Sequence, residues 1–467
     1  MNMRTGAALL TKTVCAYLLL CTTALAQTHE FMLDNGLKLL VKEDHRAPVV
    51  VSQVWYKIGA SYEVAGQTGI SHALEHMMFK GTEKYGPGEF SRIISANGGN
   101  ENAFTGSDFT AYFQTLEKSR LPISFEMESD RMRNLSLPAE EFTKEIEVVM
   151  EERRLRTEDN PQSFVYESMM ATAFQTSPYR QPIIGWMEDL EQMSVDQLAE
   201  WYERYYAPNN AVVVVVGDVD ARDVYKLAKK HFGPLKGDEI EPDKTLPEVA
   251  QNGQKRIVVK RPAELPYLLM AYKTPSLKSA IDNPEIPDWE PYALEVLAGI
   301  MDGGMSARLE TELVRGSERA AAISLNYRFT SRLETVLTIG GMPANDVTVE
   351  QLEQAIREQV QKIKTETVSQ AELDRVKAQV IADDVYQRDS IFYQGMVIGM
   401  FESIGLSWKQ VEDYVPAIKQ ITAEQVMTVA NKYLVDDGLT VAVLDPQPID
   451  PSAAVSKTPG GPVHDIH

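Results

Sequence analysis

Cysteine is nearly absent from this 467-residue chain, and its two copies are Cys15 and Cys21. The rest of the chain therefore has no disulfide to stabilise it and no thiolate to bind a metal, so any metal site there must use histidines and carboxylates. The formal net charge of −21 also lacks the excess of lysine and arginine that a nucleic-acid surface requires. Nucleic acid is accordingly not an expected partner.

The N terminus has the features of a secretory signal. Arg4 and Lys12 precede an apolar stretch over 14–20, and small residues follow up to Ala26. That stretch is too short for a membrane-spanning helix, and no later run reaches the required length. A mitochondrial presequence is the alternative, but it would be richer in arginine and less continuously apolar. The sequence predicts a signal peptide over residues 1–26, export, and no membrane anchor after its removal.

Two parts of the chain repeat one another. The segments that start at Ser194 and Thr422 each read as a capped helix, a turn and a β-branched strand, and the offset between them stays constant throughout. A shorter echo, Ala-Leu-Glu at 73–75 and 293–295, has nearly the same offset. The repeats predict two homologous halves, joined by a polar stretch over 237–253 and followed by a disordered tail. The predicted bounds are 27–246, 250–445 and 446–467.

Strand-like and helical segments alternate within each half. Examples are the strand-like runs 36–41 and 49–58 and the helical segments 197–206 and 349–366. This alternation predicts an α+β fold in which each half is a mainly antiparallel sheet with helices packed on one face. We expect the two halves to form a clamshell.

A candidate metal site lies in the predicted helix 70–79. His72 and His76 are four residues apart, which places both imidazoles on one helix face where they can bind one zinc ion. Glu75 lies beside them around the helix and is a candidate general base. A chance histidine pair is the alternative. However, the repeated helix has Tyr292 and Val296 at the ligand positions, so the histidines are confined to one half.

Zinc requires a third protein ligand, and the acidic helix predicted over 140–156 is the best source. Most of its glutamates are expected to lie on a solvated face, paired with lysine and arginine. The spacing alone leaves the choice open among Glu140, Glu141, Glu145, Glu147, Glu151 and Glu152.

Three segments, 69–82, 102–105 and 148–152, resemble the inverzincin family that includes pitrilysin, insulin-degrading enzyme and mitochondrial processing peptidase. The chain looks most like the short bacterial two-domain members. The resemblance implies that Glu152, which follows His76 at the distance typical of the family, is the third ligand and that Glu145 orients the ligands from behind. It further implies that an extended peptide aligns on an edge strand, with substrate contacts from Asn102, Ala103 and Thr105.

One departure from the family's pattern concerns the second half. Active single-chain members carry an arginine there and a tyrosine seven residues later; Arg315 fits the arginine, but Ala322 stands in place of the tyrosine. A methyl group cannot donate a hydrogen bond to a developing oxyanion. The resemblance therefore implies a homologous, zinc-free partner subunit that supplies the tyrosine. A slip in the alignment is the alternative, and the nearest tyrosine is then Tyr327.

The predicted function is a periplasmic zinc metallopeptidase with one Zn²⁺ per chain, acting on unfolded peptides. Glu75 is expected to take a proton from the attacking water and to pass it to the leaving amine. Two alternatives are a non-catalytic scaffold or assembly subunit of the same family, and a zinc hydrolase with a different substrate.

Overall fold

The computed structural model describes residues 27–240 and 247–449. The predicted signal peptide, residues 241–246 of the predicted join and residues 450–467 of the predicted tail lie outside the described residues. The strands are β1 (Thr28–Met32), β2 (Lys38–Glu43), β3 (Val49–Tyr56), β4 (Asn100–Thr105), β5 (Thr110–Glu117), β6 (Ala211–Gly217), β7 (Lys255–Pro262), β8 (Tyr267–Thr274), β9 (Ala320–Tyr327), β10 (Thr335–Pro343) and β11 (Leu439–Gln447).

Helices connect these strands in both halves. Those of the first half are α1 (Ile70–Met77), α2 (Glu89–Ala96), α3 (Leu121–Arg133), α4 (Ala139–Arg153), α5 (Pro161–Ala173), α6 (Met187–Gln192), α7 (Val195–Tyr205) and α8 (Ala221–His231). Those of the second half are α9 (Leu277–Asp282), α10 (Glu290–Asp302), α11 (Val349–Thr365), α12 (Gln370–Gln387), α13 (Ile391–Ser403), α14 (Tyr414–Gln420) and α15 (Ala423–Tyr433). Within the two described ranges, no helix combines the length and the apolarity that crossing a bilayer demands.

The two sheets share one strand order. The first is β1-β2-β6-β3-β5-β4 and the second is β7-β11-β8-β10-β9, so the second repeats the first without a counterpart of β1. One pair in each sheet is parallel, β2 with β6 and β7 with β11, and the other neighbouring pairs are antiparallel. The prediction of two α+β halves, each with a mainly antiparallel sheet, is confirmed.

Strand β6 shows why the sheets are buried on both faces. Its valines alternate between two cores: Val213 and Val215 face the helices of the first half, whereas Val212, Val214 and Val216 face Trp55 and Ile398. Burial on both sides explains the unbroken apolar run, because a half-exposed strand would alternate apolar and polar residues.

The second face of each sheet is covered by a helix from the other half. Helix α13 packs on β3 and β6 of the first sheet, and α5 packs on β7, β8 and β11 of the second. The approach of α13 is close, because a Cβ at Gly399 would lie 2.1 Å from the Trp55 ring. Each half thus has its own helices on one face, as predicted, while the exchange of helices across the other face was not predicted.

The predicted join is attached to both halves. The Glu248 carboxylate accepts a 2.8 Å hydrogen bond from the Ser177 amide and pairs with Lys273 at 2.6 Å. Burial alone would raise the pKa of Glu248, but Lys273 and the backbone amides lower it to about 2. At the other end of the second half, β11 extends to Gln447, so Pro446 and Gln447 pair with β7 although the tail was predicted to begin at 446.

Candidate metal centre

Helix α1 begins at a tightly packed glycine. Gly69 has a φ of 82°, and a Cβ there would lie 2.5 Å from the Ile184 carbonyl oxygen, which excludes other residues. The buried Glu63 carboxylate accepts hydrogen bonds from the amides of Gly69 (2.7 Å) and Ser71 (2.8 Å), which the first helical turn leaves unpaired. Burial raises the pKa of Glu63 to about 8 despite these bonds. The position of α1 is therefore set at its N terminus.

His72 and His76 lie on one face of α1, with their ring centroids 4.8 Å apart. Both Nε2 atoms lie near Oε2 of Glu152, at 3.8 Å for His72 and 3.3 Å for His76. One ligand atom from each of the three residues lies within 4.8 Å of the others. Two imidazoles and a carboxylate form a donor set that zinc binds in catalytic sites. The residues present therefore fit a single zinc ion.

Helix α4 packs across α1 and brings Glu152 to the two histidines. The second carboxylate oxygen of Glu152, Oε1, lies 2.9 Å from Nη1 of Arg156. Burial alone would raise the pKa of Glu152, but the hydrogen bond with His76 and the charges of His72 and Arg156 lower it to about 2. The carboxylate is thus held in its ionised form, which is the form that binds a metal.

Glu145 contacts His76 at the ring nitrogen that does not face Glu152. Its Oε2 atom is 3.3 Å from Nδ1 of His76, and its Oε1 atom is 2.5 Å from Nζ of Lys80. A carboxylate on the second ring nitrogen of a ligating histidine sets the tautomer and the orientation of the ring. Of the six glutamates left open by the spacing, the structure brings Glu145 and Glu152 to the histidines.

Other glutamates of α4 pair on its surface, as predicted for a solvated face. Glu140 and Glu141 each lie 3.0 Å from Lys144, and Glu151 lies 2.9 Å from Arg154. Such exposed pairs contribute little to stability.

Glu75 is half-buried beside the histidines and accepts a hydrogen bond from the Thr105 hydroxyl. Burial raises the pKa of Glu75, and the bond with Thr105 offsets part of that rise. A raised pKa brings a carboxylate closer to the value that suits proton transfer near neutral pH. Thr105 was predicted to contact substrate, and the structure places it on the candidate base.

Strand β4 is an edge strand. It lies at the end of the first sheet and, among the described residues, pairs with a strand on one side only, which is β5. The backbone amide of Ala103 donates a 2.9 Å hydrogen bond to the side-chain oxygen of Asn102. The predicted substrate residues Asn102 and Ala103 thus lie on an edge with the geometry to which an extended peptide can add.

The remaining predicted residues lie in the second half. The Arg315 guanidinium contacts the Met305 carbonyl and lies 3.5 Å from Glu310, so its contacts are within its own half. Ala322 is exposed on β9, the edge strand that corresponds to β4. Tyr327 is buried and its hydroxyl donates to the Pro275 carbonyl at 2.7 Å, so this tyrosine is not free to replace the one missing at Ala322.

Three features of the centre were missed in the sequence. Lys80 lies four positions after His76, and Arg156 lies four positions after Glu152. Helical spacing could therefore have indicated both residues. The bond between Thr105 and Glu75 joins residues 30 positions apart on a strand and a helix, and no sequence pattern indicates such a contact.

Comparison with known proteins identifies the family. Residues 38–186 match the family model described as Insulinase (Peptidase family M16), and residues 192–380 match that of the Peptidase M16 inactive domain. The zinc protease PqqE of Helicobacter pylori is 32% identical over 421 residues, which cover 89% of this chain and 92% of that protein. This chain belongs to peptidase family M16. The resemblance stated from the sequence is thereby confirmed.

Solved structures agree with this assignment. A protease from Helicobacter pylori superposes with a TM-score of 0.85 at 30% identity, over 90% of this chain and 100% of that one. The periplasmic protease PqqL from Escherichia coli superposes with a TM-score of 0.75 at 17% identity, over 91% of this chain and 49% of that one. These likenesses confirm the α+β clamshell-type fold of family M16.

Proposed function

We propose that this chain is a zinc metallopeptidase that cleaves unfolded peptides or small proteins. The observation that carries the proposal is the convergence of His72, His76 and Glu152, whose ligand atoms lie within 4.8 Å of one another, next to the half-buried Glu75. The family includes relatives named zinc protease, such as PqqE of Helicobacter pylori. His72, His76 and Glu152 would hold one Zn²⁺.

The metal and the chain's own residues would have separate roles in the reaction. The zinc ion, when bound, supplies a Lewis acid that polarises the peptide carbonyl and lowers the pKa of water. Thr105 holds Oε2 of Glu75, so we assign proton transfer to Oε1, which accepts a proton from the attacking water and returns it to the leaving amine. Glu145 keeps His76 in the orientation that ligation requires.

The edge strand β4 defines the substrate class. A peptide that adds to β4 pairs through its backbone, so Asn102 and Ala103 would recognise an extended chain rather than a particular sequence. Arg315 is proposed to contact substrate from the second half. Because a folded protein does not present a free extended segment, unfolded peptides should be cleaved and their folded parents should not.

A zinc-free homologous partner subunit is part of the proposal. The exposed methyl group of Ala322 offers no hydrogen-bond donor, and the hydroxyl of Tyr327 is occupied by Pro275. A partner that supplies a tyrosine would complete the oxyanion contact. Affinity purification from the native host should recover a related chain with an arginine and a tyrosine in its second half. Full peptidase activity of the pure chain as a homodimer would contradict this.

We also propose a periplasmic location. The predicted signal peptide over residues 1–26 supports export, and the related PqqL of Escherichia coli is named a periplasmic protease. Osmotic-shock fractionation should release the chain, and N-terminal sequencing should begin at Gln27. Retention in the spheroplasts with an intact N terminus would contradict this location.

The decisive experiment compares Glu75→Gln with Glu295→Gln, the same change at the repeated position. Glu75→Gln should retain about one zinc per chain by elemental analysis but lower kcat by about 10²- to 10⁴-fold, as loss of a general base does. Glu295→Gln should retain both zinc and turnover. Equal turnover in the two variants would exclude Glu75 as the base, and a wild-type chain without zinc would favour the scaffold alternative.

A further inference from the structure

An arginine of the second half reaches into the first half. Arg332, between β9 and β10, is 11% exposed. Its backbone amide and its Nε donate to the two carboxylate oxygens of Asp108, at 3.0 and 3.3 Å, and its Nη2 donates to the Ser61 hydroxyl at 2.8 Å. The guanidinium also lies over the Tyr62 ring, 4.1 Å from its centroid. Arg332 thus contacts two separate turns of the first half.

The first of these turns connects β4 to β5. Asp108 lies in it, is 4% exposed, and also accepts hydrogen bonds from Ser61 and from the hydroxyl of Tyr179. Thr105, which donates to Glu75, ends β4 three residues before Asp108. Arg332 therefore contacts the turn directly after the strand whose Thr105 bonds to the candidate base.

The second turn leads into α1. It spans Ala60–Tyr62, and its backbone is bonded to the first turn, with the Ser61 amide donating to the Ser107 carbonyl at 2.6 Å. The next residue, Glu63, accepts the first amides of α1 through its carboxylate. The same arginine thus contacts turns next to both elements of the centre. It contacts the turn after β4 through Asp108, and the turn before α1 through Ser61 and Tyr62.

Because this cluster is buried, the positions of its hydrogen-bonding groups tolerate little change. Asp108 is a buried carboxyl group that depends on the hydrogen bonds of Arg332, Ser61 and Tyr179, so losing the arginine leaves it poorly compensated. The spacing between α1 and β4 sets where Glu75 meets a peptide on the edge strand. A misplacement of about 1 Å in a catalytic site can cost about a hundredfold in rate.

We propose that Arg332 is a positioning residue for the peptidase site, because it fixes α1 and β4 relative to each other from the second half. This inference rests on the proposed function. It also gives a role in the site to the second half, whose described residues contribute nothing to the His72, His76 and Glu152 cluster.

The test compares Arg332→Ala with Arg46→Ala. Arg46 also joins the halves, through Asp389, and its other side-chain contacts are with Asp44; it contacts neither turn. At full zinc occupancy, Arg332→Ala should lower kcat by about 10- to 100-fold with little change in KM, and millimolar guanidinium should restore part of that loss. Arg46→Ala should keep kcat within about twofold of wild type.

A kcat of Arg332→Ala within about twofold of wild type would overturn the inference, and so would a loss that merely follows lost zinc or lost folded protein. Should Arg332→Ala fail to fold, Arg332→Lys decides, because lysine keeps the charge without the planar fork that reaches both Asp108 and Ser61. A folded, zinc-loaded Arg332→Lys with wild-type kcat would overturn it as well.

Hydrogen–deuterium exchange separates this inference from the proposed function. The amides of 60–71 and 100–109 should exchange faster in Arg332→Ala than in wild type or Arg46→Ala. If the wild-type chain cleaves no peptide, the proposed function fails while this readout still decides the coupling. Unchanged exchange in both segments would show that Arg332 holds neither turn.

Discussion

Helices α1 and α10 occupy corresponding places in two sheets of the same strand order, but they differ in chemistry. Where α1 presents His72 and His76, α10 presents Tyr292 and Val296. Tyr292 packs against the Phe329 ring, with centroids 5.1 Å apart, and Val296 is fully buried. The fold therefore tolerates apolar residues at both ligand positions, and packing alone does not require histidine there.

The two helices share one feature, a half-buried glutamate at the same position. Glu75 accepts from Thr105 of the edge strand, whereas Glu295 lies 3.3 Å from the hydroxyl of Tyr414. Burial raises the pKa of Glu295 to about 7, although the bond with Tyr414 lowers it in part. The carboxylate alone is thus no mark of a catalytic site; the neighbouring histidines and the facing Glu152 distinguish the two halves.

The largest effect is expected when His76 of α1 is replaced by valine, the residue at the corresponding position 296 of α10. His76→Val should abolish zinc binding, with an affinity loss of more than about a hundredfold, since changes to residues behind the ligands alone cost about 10- to 100-fold. Val296→Ala is the matched control and should keep about one zinc per chain while losing some stability. Elemental analysis and competition with a zinc-sensitive dye measure both. Stoichiometric zinc in a folded His76→Val variant would remove His76 from the ligand set.

A second test sharpens the comparison at the shared glutamate. The Glu295 carboxyl has a pKa of about 7 in the folded chain against 4.5 as the ordinary value, so the folded state binds the proton more tightly. Stability is therefore lost as pH rises from about 4.5 to about 7, by at most about 3 kcal/mol. Glu295→Gln cannot ionise and should be more stable than wild type at pH 8 but not at pH 4.

Urea denaturation at the two pH values measures this effect. Glu358→Gln, an exposed change in α11, is the control and should shift stability by less than about 0.5 kcal/mol at either pH. An equal shift for Glu295→Gln at pH 4 and pH 8 would mean that its carboxyl does not titrate in this window.

The smallest expected effect concerns Glu145, which contacts the candidate ligand His76. Glu145→Gln should weaken zinc binding by about 10- to 100-fold, because His76 loses the carboxylate that orients its ring. Glu151→Gln changes an exposed glutamate of the same helix and should leave the affinity as it is. Zinc titration of the metal-stripped chain measures both, and identical affinities for the two variants would assign Glu145 to the solvated face.

Local spacing accounts for what the sequence predicted well. The pair His72 and His76, with Glu75 between them, is visible because a helix brings residues four apart onto one face. The repeat was visible because corresponding segments kept their order and almost the same offset. The choice of Glu145 and Glu152 among six glutamates, by contrast, needed the family resemblance, because helical periodicity does not say which face meets α1.

Contacts between distant residues left no such pattern. The packing of Gly399 on Trp55 and the bonds of Arg332 with Asp108 each join a position in one half of the chain to a position in the other. Nothing in the spacing of either partner indicates the other, because the chain brings them together only when both sheets are formed. The exchange of α5 and α13 between the halves was invisible for the same reason.

The sequence by itself determined the candidate metal-binding motif, the division into two similar halves and the α+β class, because each depends on local periodicity or on repetition along the chain. The tertiary structure decided which glutamates face the histidines, which hydroxyl holds Glu75, and how Arg332 of the second half reaches the turn after the edge strand. These contacts arise from packing between elements far apart in sequence, where side-chain direction and burial, rather than spacing, select the partners.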